Sequence, residues 1–215
     1  MRKPTLITRS LWLCLIAVAC SFNSLRADVK LPAIFTSHMV LQQDKPLPVW
    51  GWAAPGEEVT VSFGDAKATT KADEKGNWKV SLPAQKRSLD PRVLSVVGKN
   101  TINVEDVLVG EVWICSGQSN MQWTVSRSTN APAEIAAANY PNIRLFAVPL
   151  VPAGTPAPDV NAKWEQCSPA TVAEFSAVAY FFGRELHKEL GGAPIGMIRT
   201  AWGGTRIEPW TPPIG

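Results

Sequence analysis

The chain has 215 residues, room for one domain or two small ones at about 150 residues each. Hydrophobic residues make up 46% and charged residues 18%, a globular balance that excludes a disordered or fibrous chain. The formal charge of +3 is local: Arg2, Lys3, Arg9 and Arg26 lie in the first 27 residues, which hold no acid, and without them 17 basic residues face 18 acidic ones. The basic stripe that nucleic acid requires is missing, so no nucleic-acid partner is expected.

The N-terminus reads as an address. A basic start leads into the apolar run Leu11 to Cys20, too short for the roughly 20 residues a membrane span needs. Ser24-Leu25-Arg26-Ala27 then resembles a cleavage site, which predicts a signal peptide over 1–27 and export to the periplasm or the cell exterior. Lipid attachment at Cys20, or a buried helix with an odd basic start, are the alternatives. Beyond the leader only Cys115 and Cys167 remain, and they are either a disulfide or two buried free thiols. No Cys/His spacing suggests zinc, and neither metal nor cofactor is expected.

Residues 28–106 alternate with period two. Val59, Val61 and Phe63 share one face, as do Trp78, Val80 and Leu82, which marks half-buried strands. Turn residues such as Pro55-Gly56, Gly64-Asp65 and Gly76-Asn77 separate strands expected near 47–53, 57–63, 67–72, 78–82, 92–97 and 100–104. The expectation is a small β-sandwich domain. His38, among Met39, Val40 and Leu41, reads as a structural histidine. Trp50 and Trp52 suit either core packing or stacking on sugar rings.

After Asp106 the pattern changes. Val107 to Cys115 is nearly continuously apolar, as a strand covered on both faces would be. Further strands are expected over 142–148 and 195–201, with a surface loop over the proline-rich 149–164 and a short helix near 133–138. A helix capped by Ser176 and stopped at Gly191-Gly192 carries Val178, Phe182, Leu186 and Leu190 as its apolar stripe, leaving His187 solvated. Strands alternating with helices predict the first part of an α/β domain with a parallel sheet over 107–215, with any site at the carboxyl ends of its strands.

Two motifs stand at such ends. Gly117-Gln118-Ser119-Asn120-Met121 follows the first strand, where a sharp turn projects a serine hydroxyl and aims backbone N–H groups at a carbonyl oxygen. Ser119 as a plain helix cap is the alternative. Trp202-Gly203-Gly204-Thr205 follows the third strand, where paired glycines let backbone amides approach a ligand.

The run GQSNM after EVWICS, the later AWGGTRIEPW and the earlier LPAIFTSHMVLQQDKPLPVWGWAAPGEEVTV together resemble the sialate O-acetylesterase family, serine hydrolases of the GDSL/SGNH type. The resemblance spans nearly all of 30–210 and implies deacetylation of O-acetylated sugars. It implies Ser119 as nucleophile, the backbone N–H groups of Ser119 with Gly203 or Gly204 as oxyanion hole, and Gln118, Asn120 and Thr205 as substrate-binding residues. An SGNH-like sheet after the sandwich is the corresponding fold.

The family's base lies in an Asp-x-x-His motif that this sequence lacks. Its two histidines are His38 and His187, with Phe35 and Arg184 where the aspartate would stand, and a Gly-Glu-Ser block is also missing. The chain is therefore expected to be the N-terminal portion of an acetylesterase, inactive by itself. A non-catalytic carbohydrate-binding or adhesion protein is the alternative, and an acetylated plant polysaccharide is the alternative substrate.

Overall fold

The computed structural model describes residues 28–211. The expected leader, with Cys14 and Cys20, lies outside them. The strands are β1 (Val40–Gln42), β2 (Leu47–Trp52), β3 (Glu58–Phe63), β4 (Ala66–Lys71), β5 (Asn77–Leu82), β6 (Ser88–Val97), β7 (Thr101–Gly117), β8 (Tyr140–Ala147), β9 (Trp164–Cys167) and β10 (Ile195–Ala201). The α-helices are α1 (Ser119–Gln122), α2 (Ala131–Ala136) and α3 (Ala177–Glu189). Among the described residues no helix is long and apolar enough to cross a membrane.

One eight-stranded sheet runs in the order β4-β3-β6-β7-β10-β8-β9, with β1 added beside β7, and β2 and β5 form a separate antiparallel pair. The alternating residues do what their period requires. Leu47 and Val49 of β2, and Trp78, Val80 and Leu82 of β5, face Val59, Val61, Phe63, Leu94 and Val96 across one core. Phe146 of β8 and Trp164 of β9 belong to that same core. The Trp164 indole donates to the Ile34 carbonyl at 2.8 Å, fastening the later half of the chain to the earlier one.

The expected parallel sheet is instead mixed. β10 lies parallel to β7 and β8, and β1 parallel to β7, whereas β9 is antiparallel to β8 and β6 to β7. The strands expected at 100–104 and 107–115 are one: β7 runs straight through Asp106, where the sequence changes character. Asp106 itself takes the left-handed conformation at φ 53°. Such a residue bends the strand locally without ending it, and the register against β6 shifts nearby. β7 thus carries the packing of the first half directly to the Gly117-Gln118-Ser119 turn.

That end is less covered than an all-apolar run suggests. Val107 to Val109 are buried, but Trp113 and Ile114 are exposed. β10 pairs one edge of residues 111–117, and among the described residues no strand pairs the other. β9 begins at the last residue of the expected loop and runs beyond it, a strand whose four residues carry too little period to be read from sequence.

Helix α3 starts and stops where its caps predict. Ser176 Oγ accepts from the Ala179 N–H at 3.2 Å, and Gly191 and Gly192 follow with positive φ. Its buried face differs from the expected stripe. Val178 and Phe182 are 48% and 44% exposed, whereas Ala177, Ala179, Tyr180 and Gly183 are buried. A Cβ on Gly183 would stand 2.9 Å from Met197 Sδ of β10, so the helix seats its smallest residues on the sheet to approach closely. His187 is not solvated: its Nδ1 lies 2.7 Å from the Ala193 carbonyl and its ring packs edge-on to Tyr140.

Cys115 and Cys167 are buried free thiols in the core beneath this helix. Burial pushes their pKa up to about 11 and about 12. Iodoacetamide at pH 8 should therefore alkylate neither in the folded protein, while both react in urea. Mass spectrometry reads the difference, and rapid labelling of the folded chain would refute the burial.

Candidate active site

The site begins with backbone geometry. Gly117 ends β7 at φ 146°, open to glycine and strained for other residues, and a Cβ there would meet Met121 Cβ at 3.4 Å. The chain then turns at once into α1, whose first residue is Ser119. Ser119 is not the cap of that helix: Gln118 holds the cap position and makes no side-chain capping bond. The serine is exposed, and its hydroxyl makes no hydrogen bond among the described residues.

The second motif meets the first because β10 lies beside β7 in parallel register, with Ala201 opposite Gly117. The Trp202 N–H donates to the Gly117 carbonyl at 3.0 Å, extending the pairing past the strand ends. Gly203 then sits against Ser119: a Cβ on it would lie 3.4 Å from both Ser119 Cα and Oγ. The tighter contact would be with Gln122 Oε1 at 2.6 Å, the movable end of that side chain, so space alone does not demand glycine at 203, whereas Gly204, at φ 77°, holds a conformation that favours it.

The N–H of Gly203 is occupied, donating to Gln122 Oε1 at 2.5 Å. An oxyanion would have to displace that side chain. Thr205 is occupied too. Its hydroxyl donates to the Trp202 carbonyl at 2.7 Å and accepts from the Trp210 indole at 2.9 Å, which makes it a brace for the glycine turn. Gln118 and Asn120 are exposed beside Ser119 and line the hollow that includes Met121 and Val178.

Next to it a second hollow of about 530 Å³ is lined by Ser119, Gln122, Trp123, Arg127, Arg199 and Gly203, among others. Sequence reasoning missed most of these. Gln122 and Trp123 follow the serine by one helical turn. Arg199 is the more informative omission, since a charged residue inside Ile195–Ala201 was visible as an anomaly. Burial lowers the pKa of its guanidinium, and its Nε is buried without a hydrogen-bond partner. A partly buried cation beside Ser119, with no ion-pair partner among the described residues, can receive an anionic group.

Neither histidine serves Ser119. His187 bonds Ala193, as above, and His38 Nδ1 lies 2.6 Å from Asp106 Oδ2 in a network with Arg144 and Gln166. His38 is thereby the structural residue the sequence suggested.

Three comparisons bear on this geometry. Residues 109–214 match the family model for carbohydrate esterases described as sialic acid-specific acetylesterase. The chain is 33% identical to the sialate O-acetylesterase of Mus musculus, with 92% of this chain and 40% of that protein aligned. It is also 33% identical to the Homo sapiens sialate O-acetylesterase, with 85% and 38% aligned. Among solved structures, a carbohydrate acetylesterase from Xanthomonas citri superposes with a TM-score of 0.81 at 42% identity, over 85% of this chain and 42% of that one. The chain thus spans about two fifths of the length of the relatives it matches.

Proposed function

Residues 109–214 belong to the sialic acid-specific acetylesterase family of carbohydrate esterases, and on that premise we propose that this chain supplies the nucleophile half of a serine-dependent carbohydrate O-acetylesterase. The observation that carries the reading is the meeting of Ser119 with Gly203 at the carboxyl ends of two parallel neighbours, β7 and β10. Ser119 Oγ attacks the acetyl carbonyl of a sugar ester, the sugar leaves as an alcohol, and water hydrolyses the acetyl-serine. The backbone N–H groups of Ser119 and of Gly203 or Gly204 receive the oxyanion, and Gln122 releases Gly203 as the substrate enters. Each such donor is worth about 10²–10³ in turnover.

The base comes from outside the 215 residues, since both histidines of the sequence are engaged elsewhere. In this reading residues 28–106 form a β-sandwich domain, residues 107–215 begin an SGNH-type domain, and the protein acts after export and removal of 1–27.

Arg199 favours an acidic sugar over a neutral polysaccharide as substrate, because its guanidinium has no carboxylate partner among the described residues. The experiment compares acetyl release from O-acetylated N-acetylneuraminic acid and from acetylated xylan, using a form extended to the length of the relatives. Arg199→Met should raise KM on the acidic sugar about 10- to 100-fold, the worth of a charged hydrogen bond, and leave acetyl-xylan untouched. Equal losses on both substrates would overturn the carboxylate role. Absence of deacetylation of either would overturn the enzyme.

A further inference from the structure

The outer face of the β2–β5 pair has a composition its folding does not require. Trp50 and Trp52 are two residues apart, so both point away from the core that Leu47 and Val49 fill. Gly51 between them is forced, since a Cβ there would strike the Lys30 carbonyl oxygen at 2.1 Å. Trp50 stays 40% exposed, although a large aromatic in a strand gains most by burial. Its ring is nonetheless held: the buried Phe35 meets it edge-on, with centroids 4.6 Å apart and planes at 78°. A fixed, half-exposed indole is a platform rather than a piece of core.

Polar groups frame the platform. The register places Lys79 opposite Trp50 and Asn77 opposite Trp52. Lys71 and Asp73 complete the walls of a cleft of about 700 Å³ that reaches Pro158. Asp73 Oδ1 is taken up by the N–H groups of Lys75 and Asn77, while Oδ2 accepts only from Asn77 Nδ2 at 3.3 Å. The cleft therefore offers flat apolar faces together with donors and an acceptor of both signs. That combination fits a pyranose ring, which has an apolar C–H face and a rim of hydroxyls. The few charges, mixed in sign, suit a neutral sugar better than a polyanion.

We infer that the Trp50–Trp52 cleft is a glycan-binding site separate from the Ser119 hollow, with which it shares no lining residue. It would hold neutral pyranose units of the glycan whose acidic, acetylated sugar enters the Ser119–Arg199 hollow, and so rests on the reading of the substrate as a carbohydrate. Binding is independent of a catalytic base, so the two readings fail separately.

The test follows the tryptophan indole N–H signals of the ¹⁵N-labelled 215-residue chain during titration with xylohexaose and, in parallel, sialyllactose. Xylohexaose should shift two indole signals at millimolar or lower concentration. Trp50→Ala should weaken binding about tenfold or more. Asp73→Ala, which leaves the core intact, should weaken it severalfold, whereas Ser119→Ala should leave it unchanged. Failure of both glycans to shift any indole, loss of binding in Ser119→Ala, or binding unaffected by Trp50→Ala and Asp73→Ala would each overturn the site. A preference for sialyllactose would overturn the neutral ligand.

Discussion

With Ser119 as the proposed nucleophile, changing it to alanine should lower kcat for 4-nitrophenyl acetate by a factor on the order of 10⁶ in a form of the protein that carries a base beside it. The size follows from the role. A hydroxyl nucleophile and its base act as a unit, so removing either forfeits nearly all covalent catalysis, and only the residual effect of the oxyanion donors survives. The same substitution in the 215-residue chain alone should change nothing measurable, since its serine hydroxyl has no hydrogen-bond partner among the described residues and its two histidines are committed elsewhere. Single-turnover acetylation followed by mass spectrometry checks both halves. A base-bearing Ser119→Ala form that still acquires an acetyl group would show that another residue is the nucleophile.

The largest expected effect on stability is at Asp106. Arg144 is only 2% exposed, and its guanidinium reaches the Asp106 carboxylate at 2.8 and 3.0 Å as well as the carbonyls of His38 and Pro141. Asp106→Asn keeps the shape and tolerates the left-handed φ, but leaves a buried cation without its counter-charge. Breaking such a pair from one side costs about 3–5 kcal/mol, and the remaining carbonyl partners place this case near 3 kcal/mol.

The same pair sets an acid limit. Burial pushes the Asp106 carboxyl up, but hydrogen bonds from Arg144, His38 and Gln166 outweigh it and bring the pKa to about 2. A depressed folded-state pKa stabilises above the unfolded value near 3.8, and that contribution is lost as pH falls through about 2. It amounts to about 2 kcal/mol. Urea midpoints from pH 5 to pH 2 should therefore fall less steeply in Asp106→Asn than in the wild type. Parallel curves would mean that Asp106 is not the group that titrates.

Local elements were legible because local physics makes them. The alternation of β3 and β5, the cap at Ser176 and the stop at Gly191 all appear where the sequence puts them. The buried face of α3 was not legible. Val178 and Phe182 are more apolar than Ala179 and Gly183, yet the sheet took the small face, because close approach to Met197 is a property of two elements together. The boundary after Asp106 is a similar case: composition shifts there, while hydrogen bonding continues along β7.

The sequence by itself determined the pieces of the site: a glycine that permits the turn, a serine two residues on, and a glycine pair just past the end of another strand. Backbone conformation and residue size over a few positions are enough for that. Tertiary structure alone decided that Ser119 and Gly203 touch, that Gln122 holds the Gly203 N–H, that Thr205 is a brace, and that the buried Arg199 Nε beside them has no partner among the described residues. Those facts depend on β10 pairing with β7 across a long stretch of chain. Register between distant strands is set by the packing of the whole sheet, and no local pattern of residues encodes it.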